Sequence, residues 1–222
     1  MLFHMAQTEL SRMGFLLAGG KSSRMGADKA FLDFGGQTLL DRALTVMGAV
    51  CGKVTIVGDP DKFAQYGSSK YEPSKYGSVV ADIFPGCGPL AGIHAALVHS
   101  PAELNLMLAV DMPFVSRELL AFLFAAAEDE DNDAVVTVPR TNKGLQPLCA
   151  VYRRDFSIAA ELALRGGKYK IDAAFSSISV RVIDEGELAA AGFSEQNFFN
   201  VNTPQDLRAA KGGGFRLPIL DR

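Results

Sequence analysis

Stretches typical of buried strands alternate with stretches of helical periodicity along most of this chain. The clearest strand pattern is LNLMLAVDMPFV at residues 104–115, whose continuous apolar run is typical of a strand covered on both faces. Helical patterns lie on either side of it, at residues 38–47 and 117–128. Because strands that alternate with helices form mainly parallel sheets, we expect an α/β fold, a Rossmann-like three-layer sandwich with helices on both faces.

The rest of the chain continues this alternation. Further strands are predicted at residues 14–18, 53–59, 78–84, 134–138, 146–152 and 179–183, and further helices at residues 93–99, 156–164 and 204–211. A chain of 222 residues, 48% of them hydrophobic, can build one substantial core. We therefore expect a single domain over residues 1–222 with its core at about 14–210. The C-terminal tail, residues 212–222, contains glycines and a proline and is predicted to be flexible.

Composition narrows the possible partners and compartments. The net charge of −3 argues against a protein that binds nucleic acid, so an anionic ligand must be met by local positive charge. The three cysteines form no CxxC pair, which suits a reducing compartment and predicts no zinc site. No apolar run approaches the roughly 20 residues needed to span a membrane, and the N-terminus lacks the pattern of a signal peptide. We expect a cytoplasmic protein with no membrane contact.

Three loops are predicted to meet at one edge of the sheet. In parallel sheets, ligands bind beyond the carboxyl ends of the strands. The loops that follow predicted strands at those ends cover residues 18–29, 82–92 and 111–115, and all are rich in glycine, proline or charge. We expect the ligand site among them.

The first of these loops lies within FLLAGGKSSRMGADKAFL, residues 15–32, and has the composition of a triphosphate cradle. Gly19 and Gly20 allow a ligand to lie against backbone N–H groups. Arg24 and Lys29 add a fork-shaped and a compact cation. The spacing does not match the GxxxxGK[ST] pattern, so a P-loop NTPase is disfavoured. A solvated surface loop is the alternative.

The second loop contains GCGPLA at residues 86–91, which matches the dinucleotide pattern G-x-G-x-x-A. A dinucleotide-binding fold is nevertheless disfavoured. Pro89 stands where the helix should donate N–H groups, and no suitable acidic residue follows about 20 positions later.

Polar side chains that could hold a metal ion or a ligand follow several strand patterns. Asp111 comes after a buried apolar run, where a carboxylate is costly unless it is paired or bound to a metal, and it is a candidate Mg²⁺ ligand. A turn or helix cap is its alternative role. Asp82 also lies near a strand end and could accept a hydrogen bond from a ligand. Asn200 and Asn202 fall on one side of an extended segment and could orient a ligand or a hydrated metal, although Asn202-Thr203-Pro204 also indicates a helix cap.

These residues resemble a known family. The stretch LLAGGKSSRMGADKAFLDFGGQTLLDRAL resembles the LAGGxSxRMGxxK signature of molybdenum cofactor guanylyltransferases, the molybdopterin-guanine dinucleotide biosynthesis protein A family. The resemblance continues in order through DIFPGCGPLAGIHAAL, LAVDMPFV, QPLCAVY and FFNVNTPQDL, and it covers roughly residues 14–210.

The resemblance implies a fold of the nucleotide-diphospho-sugar transferase type and a Mg²⁺-dependent nucleotidyltransferase. Such an enzyme transfers GMP from GTP to molybdopterin and releases pyrophosphate, and other proteins of cofactor biosynthesis or acceptor proteins are conceivable partners. By matching motifs, Asp111 would hold Mg²⁺ and phosphate, and Lys29 and Arg24 would act on the phosphates. The implied binding residues are Leu17, Ala18, Gly19, Gly20, Lys29, Asp82, Asp111, Asn200 and Asn202. One departure is that some relatives have a nucleotide-binding asparagine after the second strand, where this chain has IVGDPDKF and Asp59 could substitute.

Three other functions stay open at this point. A molybdopterin cytidylyltransferase that uses CTP would share the fold and the chemistry, although its first loop usually has LAAG in place of LAGG. A sugar-phosphate nucleotidyltransferase would resemble this chain mainly in the first loop. A non-catalytic carrier of nucleotide or pterin belongs to a different class, and the presence of both Lys29 and Asp111 argues against it.

Overall fold

The computed structural model describes residues 12–19, 28–63 and 76–212. Its strands are β1 (Arg12–Leu17), β2 (Lys53–Val57), β3 (Tyr76–Val80), β4 (Leu104–Ala109), β5 (Val136–Thr141), β6 (Gly144–Leu145), β7 (Cys149–Arg153) and β8 (Val180–Ile183). Its α-helices are α1 (Leu39–Gly48), α2 (Pro60–Phe63), α3 (Pro89–His99), α4 (Arg117–Glu128), α5 (Phe156–Arg165), α6 (Ile171–Phe175), α7 (Glu185–Ala190) and α8 (Pro204–Lys211). Two short 3₁₀ turns lie at Lys29–Phe31 and Glu195–Phe198.

The strands form one mixed sheet in the order β3-β2-β1-β4-β7-β5, with β6 and β8 both paired to β5. Strands β1 to β4 run parallel to one another, and β5 pairs parallel with β8. Strand β7 is antiparallel to both β4 and β5. The predicted mainly parallel sheet is therefore confirmed, and β7 is the exception because the short β5–β6–β7 connection leaves no room for the crossover that a parallel pair needs.

Helices cover both faces of this sheet, as predicted for a three-layer sandwich. Successive side chains of β1 point to opposite faces, so that Leu16 packs in the cluster with α1 and α4 while Phe15 packs in the cluster with α3 and α5. Strand β4 is buried at every residue and divides in the same way, with Leu108 on the first face and Met107 on the second. The apolar run at residues 104–109 is thus a strand covered on both faces.

Some predicted boundaries were accurate and others were wrong. Helices α4 and α8 begin and end where the sequence predicted, and Ser116 and Thr203 cap them with side-chain oxygens. Helix α3 begins at Pro89 and not at residue 93, because proline is favoured in the first turn, where no backbone N–H is needed. Strand β3 ends at Val80, so Asp82 lies in the following loop.

The sequence did not predict α2, α6, α7 or β6. Each has at most six residues, too few for a period of 3.6 or 2 to stand out. The tail predicted to be flexible lies, apart from Gly212, outside the described residues. Among the described residues, no helix has the length and apolar composition needed to span a membrane.

Candidate active site

A cleft of about 830 Å³ opens where β1, β2 and β4 end. The three loops predicted to converge all contribute to its lining. The residues that line it are Leu17, Ala18, Gly19, Asp28, Lys29, Val57, Asp82, Gly86, Gly88, Pro89, Gly92, Ala109, Val110, Asp111, Leu148, Asn200 and Asn202. The cleft thus lies at the edge of the sheet where ligands are expected, beyond the carboxyl ends of parallel strands.

Lys29 joins three distant parts of the chain inside this cleft. Its ammonium nitrogen Nζ donates to Asp111 Oδ2 at 2.9 Å and to Asn202 Oδ1 at 2.6 Å. Asp28 caps the 3₁₀ turn that begins with Lys29, since its Oδ1 accepts from the N–H of Ala30 at 3.1 Å. The partly buried cation is thus held by one carboxylate and one amide oxygen.

The turn that carries Asp111 is tied to the sheet and to its neighbours by backbone hydrogen bonds. Asp111 lies two residues beyond the end of β4, where the N–H of Val110 donates to the carbonyl of Leu17 at 3.2 Å. The carbonyl of Asp111 accepts from the N–H of Val201 at 2.8 Å. This second bond brings the segment with Asn200 and Asn202 against Asp111, so the carboxylate and the amides share one wall of the cleft.

Below this turn lies a buried arginine that the sequence did not single out. Arg42, on α1, is 4% exposed, and its Nε donates to the carbonyl of Pro113. Its guanidinium carbon lies 5.9 Å from the centre of the Phe34 ring. Burial lowers the pKa of Arg42, which is the expected effect of removing a charge from water. Arg42 therefore supports the turn that follows Asp111 from within the core.

The predicted helix cap after Asn202 is confirmed, and the amide faces the cleft as well. The Asp206 carboxylate accepts from the N–H groups of Asn202 at 2.9 Å and Thr203 at 2.7 Å, and Thr203 Oγ1 accepts from the N–H of Asp206 at 3.1 Å. Partial burial alone would raise the pKa of Asp206, but these hydrogen bonds and the nearby Lys29 charge lower it. Asn200 donates its amide to the carbonyl of Phe198 at 3.0 Å. Asn202 can therefore belong to the helix cap and still present its side chain to the cleft.

The opposite side of the cleft is formed by the loop before α3. Gly88 has a φ of 77°, which L side chains rarely adopt, and it directs the chain into the helix that begins at Pro89. A Cβ atom on Gly92 would lie 3.3 Å from Leu17 Cδ2 and 3.6 Å from Asp82 Oδ1, so glycine lets this first turn pack closely against both. Burial raises the pKa of the Asp82 carboxyl. The positive end of α3 lies on the same side of the cleft and favours negative charge there.

Most predicted site residues line the cleft, and three cases differ. Gly20 and Arg24 lie outside the described residues. Asp59, considered as a substitute for an asparagine of some relatives, does not line the cleft, and its carboxylate instead accepts from the N–H of Asp61 at 3.0 Å in the turn that starts α2. Gly92 and Leu148 line the cleft but were not named as site residues. Gly92 is the last residue of the predicted loop 82–92, and Leu148 lies in the stretch QPLCAVY, which resembles the family.

A metal site in this cleft would need oxygen ligands from few side chains. Within residues 12–19, 28–63 and 76–212, no group of three or more His, Cys, Asp or Glu side chains is placed to hold a metal. Asp111 Oδ2 and Asn202 Oδ1, however, lie within 2.9 Å of one point, the Lys29 nitrogen. One carboxylate and one amide oxygen suit Mg²⁺, which completes its shell with water and phosphate oxygens.

Comparison with known proteins identifies close relatives. A family described as MobA-like NTP transferase domain matches residues 14–178. A probable molybdenum cofactor guanylyltransferase from Pelotomaculum thermopropionicum is 37% identical over 91% of this chain and 93% of its own length. A molybdenum cofactor guanylyltransferase from Desulfosudis oleivorans is 32% identical over 89% of this chain and 93% of its own length.

Solved structures agree with these relatives. Molybdopterin-guanine dinucleotide biosynthesis protein A from Archaeoglobus fulgidus superposes with a TM-score of 0.76 at 28% identity and covers 90% of this chain and 97% of its own. A 2-C-methyl-D-erythritol 4-phosphate cytidylyltransferase from Thermus thermophilus, at 22% identity and a TM-score of 0.62 over 90% of this chain and 97% of its own, shares the fold. The predicted nucleotide-diphospho-sugar transferase type of fold is thereby confirmed. By the matched family and by relatives that are similar over nearly their whole length, this chain belongs to the family of MobA-like NTP transferase domains.

Proposed function

We propose that this protein is a molybdenum cofactor guanylyltransferase, which transfers GMP from GTP to molybdopterin and releases pyrophosphate. The observation that carries the proposal is the contact of Lys29 with Asp111 and Asn202 in the cleft at the strand ends. Chains of this family similar over about nine-tenths of their length carry the same activity in their names. Nucleotidyl transfer depends on the positioning of the substrates and the neutralisation of phosphate charge more than on a protein nucleophile. The charged and amide side chains of this cleft suit both tasks.

In the proposed reaction, an oxygen of the terminal phosphate of molybdopterin attacks the α-phosphorus of GTP. A new P–O bond forms, the bond from the α-phosphorus to the bridging oxygen breaks, and the electron pair leaves with pyrophosphate. Lys29 neutralises charge on the phosphates, and the exposed Gly19 leaves room for them against the end of β1. Arg24 would add a second cation by its position in the family motif.

The proposed enzyme requires Mg²⁺, for which Asp111 and Asn202 supply the protein oxygens. When bound, Mg²⁺ would neutralise negative charge on the triphosphate and the departing pyrophosphate. Val201 holds the backbone of Asp111 and Asp206 holds the backbone of Asn202, and both residues line the cleft.

The two sides of the cleft suit different parts of the substrates. The side formed by Leu17, Val57 and Gly92 is apolar, which suits the flat base of the nucleotide, and Asp82 on the same side can accept hydrogen bonds from it. The side formed by Asn200 and Asn202 adjoins Asp111 and suits the pterin phosphate. The nucleotide and the pterin would then approach the phosphates from opposite directions.

The test is a transfer assay with molybdopterin, Mg²⁺ and, separately, GTP, CTP, ATP and UTP. We expect pyrophosphate release and a guanine dinucleotide product with GTP alone. Asp111→Asn should abolish turnover while the protein stays folded, because it removes the carboxylate at the reaction centre. Asp33→Asn is the matched control, since it removes the same charge from an exposed pair with Lys211 and should leave turnover unchanged.

Other outcomes would identify the remaining candidates. Turnover with CTP alone would show a cytidylyltransferase. Binding of nucleotide and pterin without turnover would show a carrier. Wild-type rates in Asp111→Asn would refute the role of Asp111 in the proposed mechanism.

A further inference from the structure

Lys29 lies between the two side chains proposed to hold Mg²⁺. Its ammonium nitrogen is 2.9 Å from Asp111 Oδ2 and 2.6 Å from Asn202 Oδ1. The Lys29 and Asp111 side chains are only 19% and 17% exposed, so water weakens this pair less than it would at the surface. A lysine ammonium has three donors and no acceptor, so both oxygens present lone pairs to it.

The same two oxygens cannot serve an ammonium and a divalent cation together. Mg²⁺ requires its ligand oxygens at about 2.0–2.1 Å. A Mg²⁺ ion bound to both oxygens would therefore lie close to the position that the Lys29 nitrogen occupies. Repulsion between the two cations adds to this conflict and is strong in a partly buried site. Lys29 must therefore move before a cation can bind both Asp111 and Asn202.

The backbone that carries these two side chains is held in place without Lys29. The backbone carbonyl of Asp111 accepts from the N–H of Val201 at 2.8 Å, and the backbone N–H of Asn202 donates to Asp206 at 2.9 Å. Thr203 closes the capping box that anchors this segment to α8. Removal of the Lys29 ammonium should therefore leave both side chains next to each other, with their oxygens available to a cation.

We propose that Lys29 is an internal competitor for the divalent cation: in the nucleotide-free protein it blocks Asp111 and Asn202, and a triphosphate withdraws it. This inference rests on the proposed function, because it takes a nucleoside triphosphate as the ligand that attracts Lys29. The triphosphate gives the flexible lysine a more highly charged partner and also brings oxygens for the cation. Nucleotide and cation then strengthen each other's binding, and this coupling is reciprocal.

The test measures binding of Mn²⁺, a paramagnetic probe for Mg²⁺, to the full chain by electron paramagnetic resonance without nucleotide. Lys29→Met should bind Mn²⁺ about tenfold more tightly than the wild type, the equivalent of removing one charge-assisted hydrogen bond from the ligand pair. Lys143→Met is the matched control. It removes the same positive charge from an ion pair with Glu195 at the surface, where the Lys143 side chain is 68% exposed. Its Mn²⁺ affinity should equal that of the wild type.

Further variants and nucleotide sharpen the test. Lys29→Gln should also increase the affinity, and adding Asp111→Asn to Lys29→Met should remove the gain. GTP should raise the Mn²⁺ affinity of the wild type by a larger factor than that of Lys29→Met, because only the wild type must first release the lysine. Thermal unfolding of each variant verifies that it is folded.

Equal Mn²⁺ affinity in the wild type and both folded Lys29 variants would overturn the proposal. An equal gain in Lys143→Met would also overturn it, since net charge would then be the cause. These results are independent of the transfer assay. Lack of GMP transfer by the wild type refutes the proposed function, whereas equal Mn²⁺ affinities with intact transfer refute the competition alone.

Discussion

Arg42 offers a direct test of how the core supports the turn that follows Asp111. The structure buries its guanidinium beneath the turn that follows Asp111, where its Nε donates to the Pro113 carbonyl and its charge lies against Phe34. An Arg42→Met variant keeps an apolar stem but removes these interactions. Loss of a charged donor to a buried carbonyl costs about 1.5–3 kcal/mol, and the ring contact adds about 1 kcal/mol.

Part of this cost is recovered because the variant no longer buries a charge. We therefore expect a net loss of about 2 kcal/mol in the free energy of unfolding. For a chain of this size that corresponds to a decrease in Tm of about 4–8 °C, measured by scanning calorimetry. Arg117→Met is the control: its side chain is 53% exposed and pairs with Glu118, and such surface pairs contribute about 0–1 kcal/mol. A Tm for Arg42→Met within about 1 °C of wild type, or an equal decrease in Arg117→Met, would refute the reasoning.

Three further predictions concern the described core and caps. Thr203→Ala removes the side-chain cap of α8 and should lower the free energy of unfolding by about 1 kcal/mol in denaturant titrations, whereas an unchanged midpoint would contradict it. Burial raises the pKa of the Cys51 and Cys149 thiols to about 12, so a thiol reagent at pH 8 should label only the partly exposed Cys87 in the native protein; rapid labelling of all three would count against this core. Burial lowers the pKa of His94 despite the Glu161 carboxylate 3.8 Å away. The imidazole therefore binds a proton more readily in the unfolded state than in the folded state. Stability should therefore be lost as the pH falls through about 6.5, and His94→Leu should reduce that loss in unfolding titrations at several pH values.

Local patterns were sufficient for those elements whose residues interact with near neighbours in sequence. The periodicity of residues 117–128 together with Ser116 defined α4, and Thr203-Pro204 defined the start of α8. The apolar run of β4 indicated burial on both faces, since a strand with no polar alternation has no solvent face. The glycine-rich and charged loops indicated the edge of the sheet at which the cleft lies, because all follow strands that run in the same direction.

Features that depend on the path of the chain were less predictable. The antiparallel direction of β7 depends on a short hairpin, and the start of α3 depends on a proline that equally suits a loop. In the sequence, Arg42 looks like an ordinary surface arginine of an amphipathic helix. Its burial follows only from the packing of α1 against the Asp111 turn.

The sequence by itself determined the alternation of strands and helices, the caps of α4 and α8, and the chemical types available at the strand ends, because these follow from interactions between residues a few positions apart. Only the tertiary structure decided that Lys29 contacts Asp111 and Asn202, which are 82 and 173 residues away along the chain. Those contacts exist because parallel strands bring their carboxyl ends to one edge, where backbone bonds from Val110 and Val201 align three separate segments. The chemical groups near each strand end can therefore be predicted from local patterns, but their meeting around the Lys29 nitrogen depends on the folded chain.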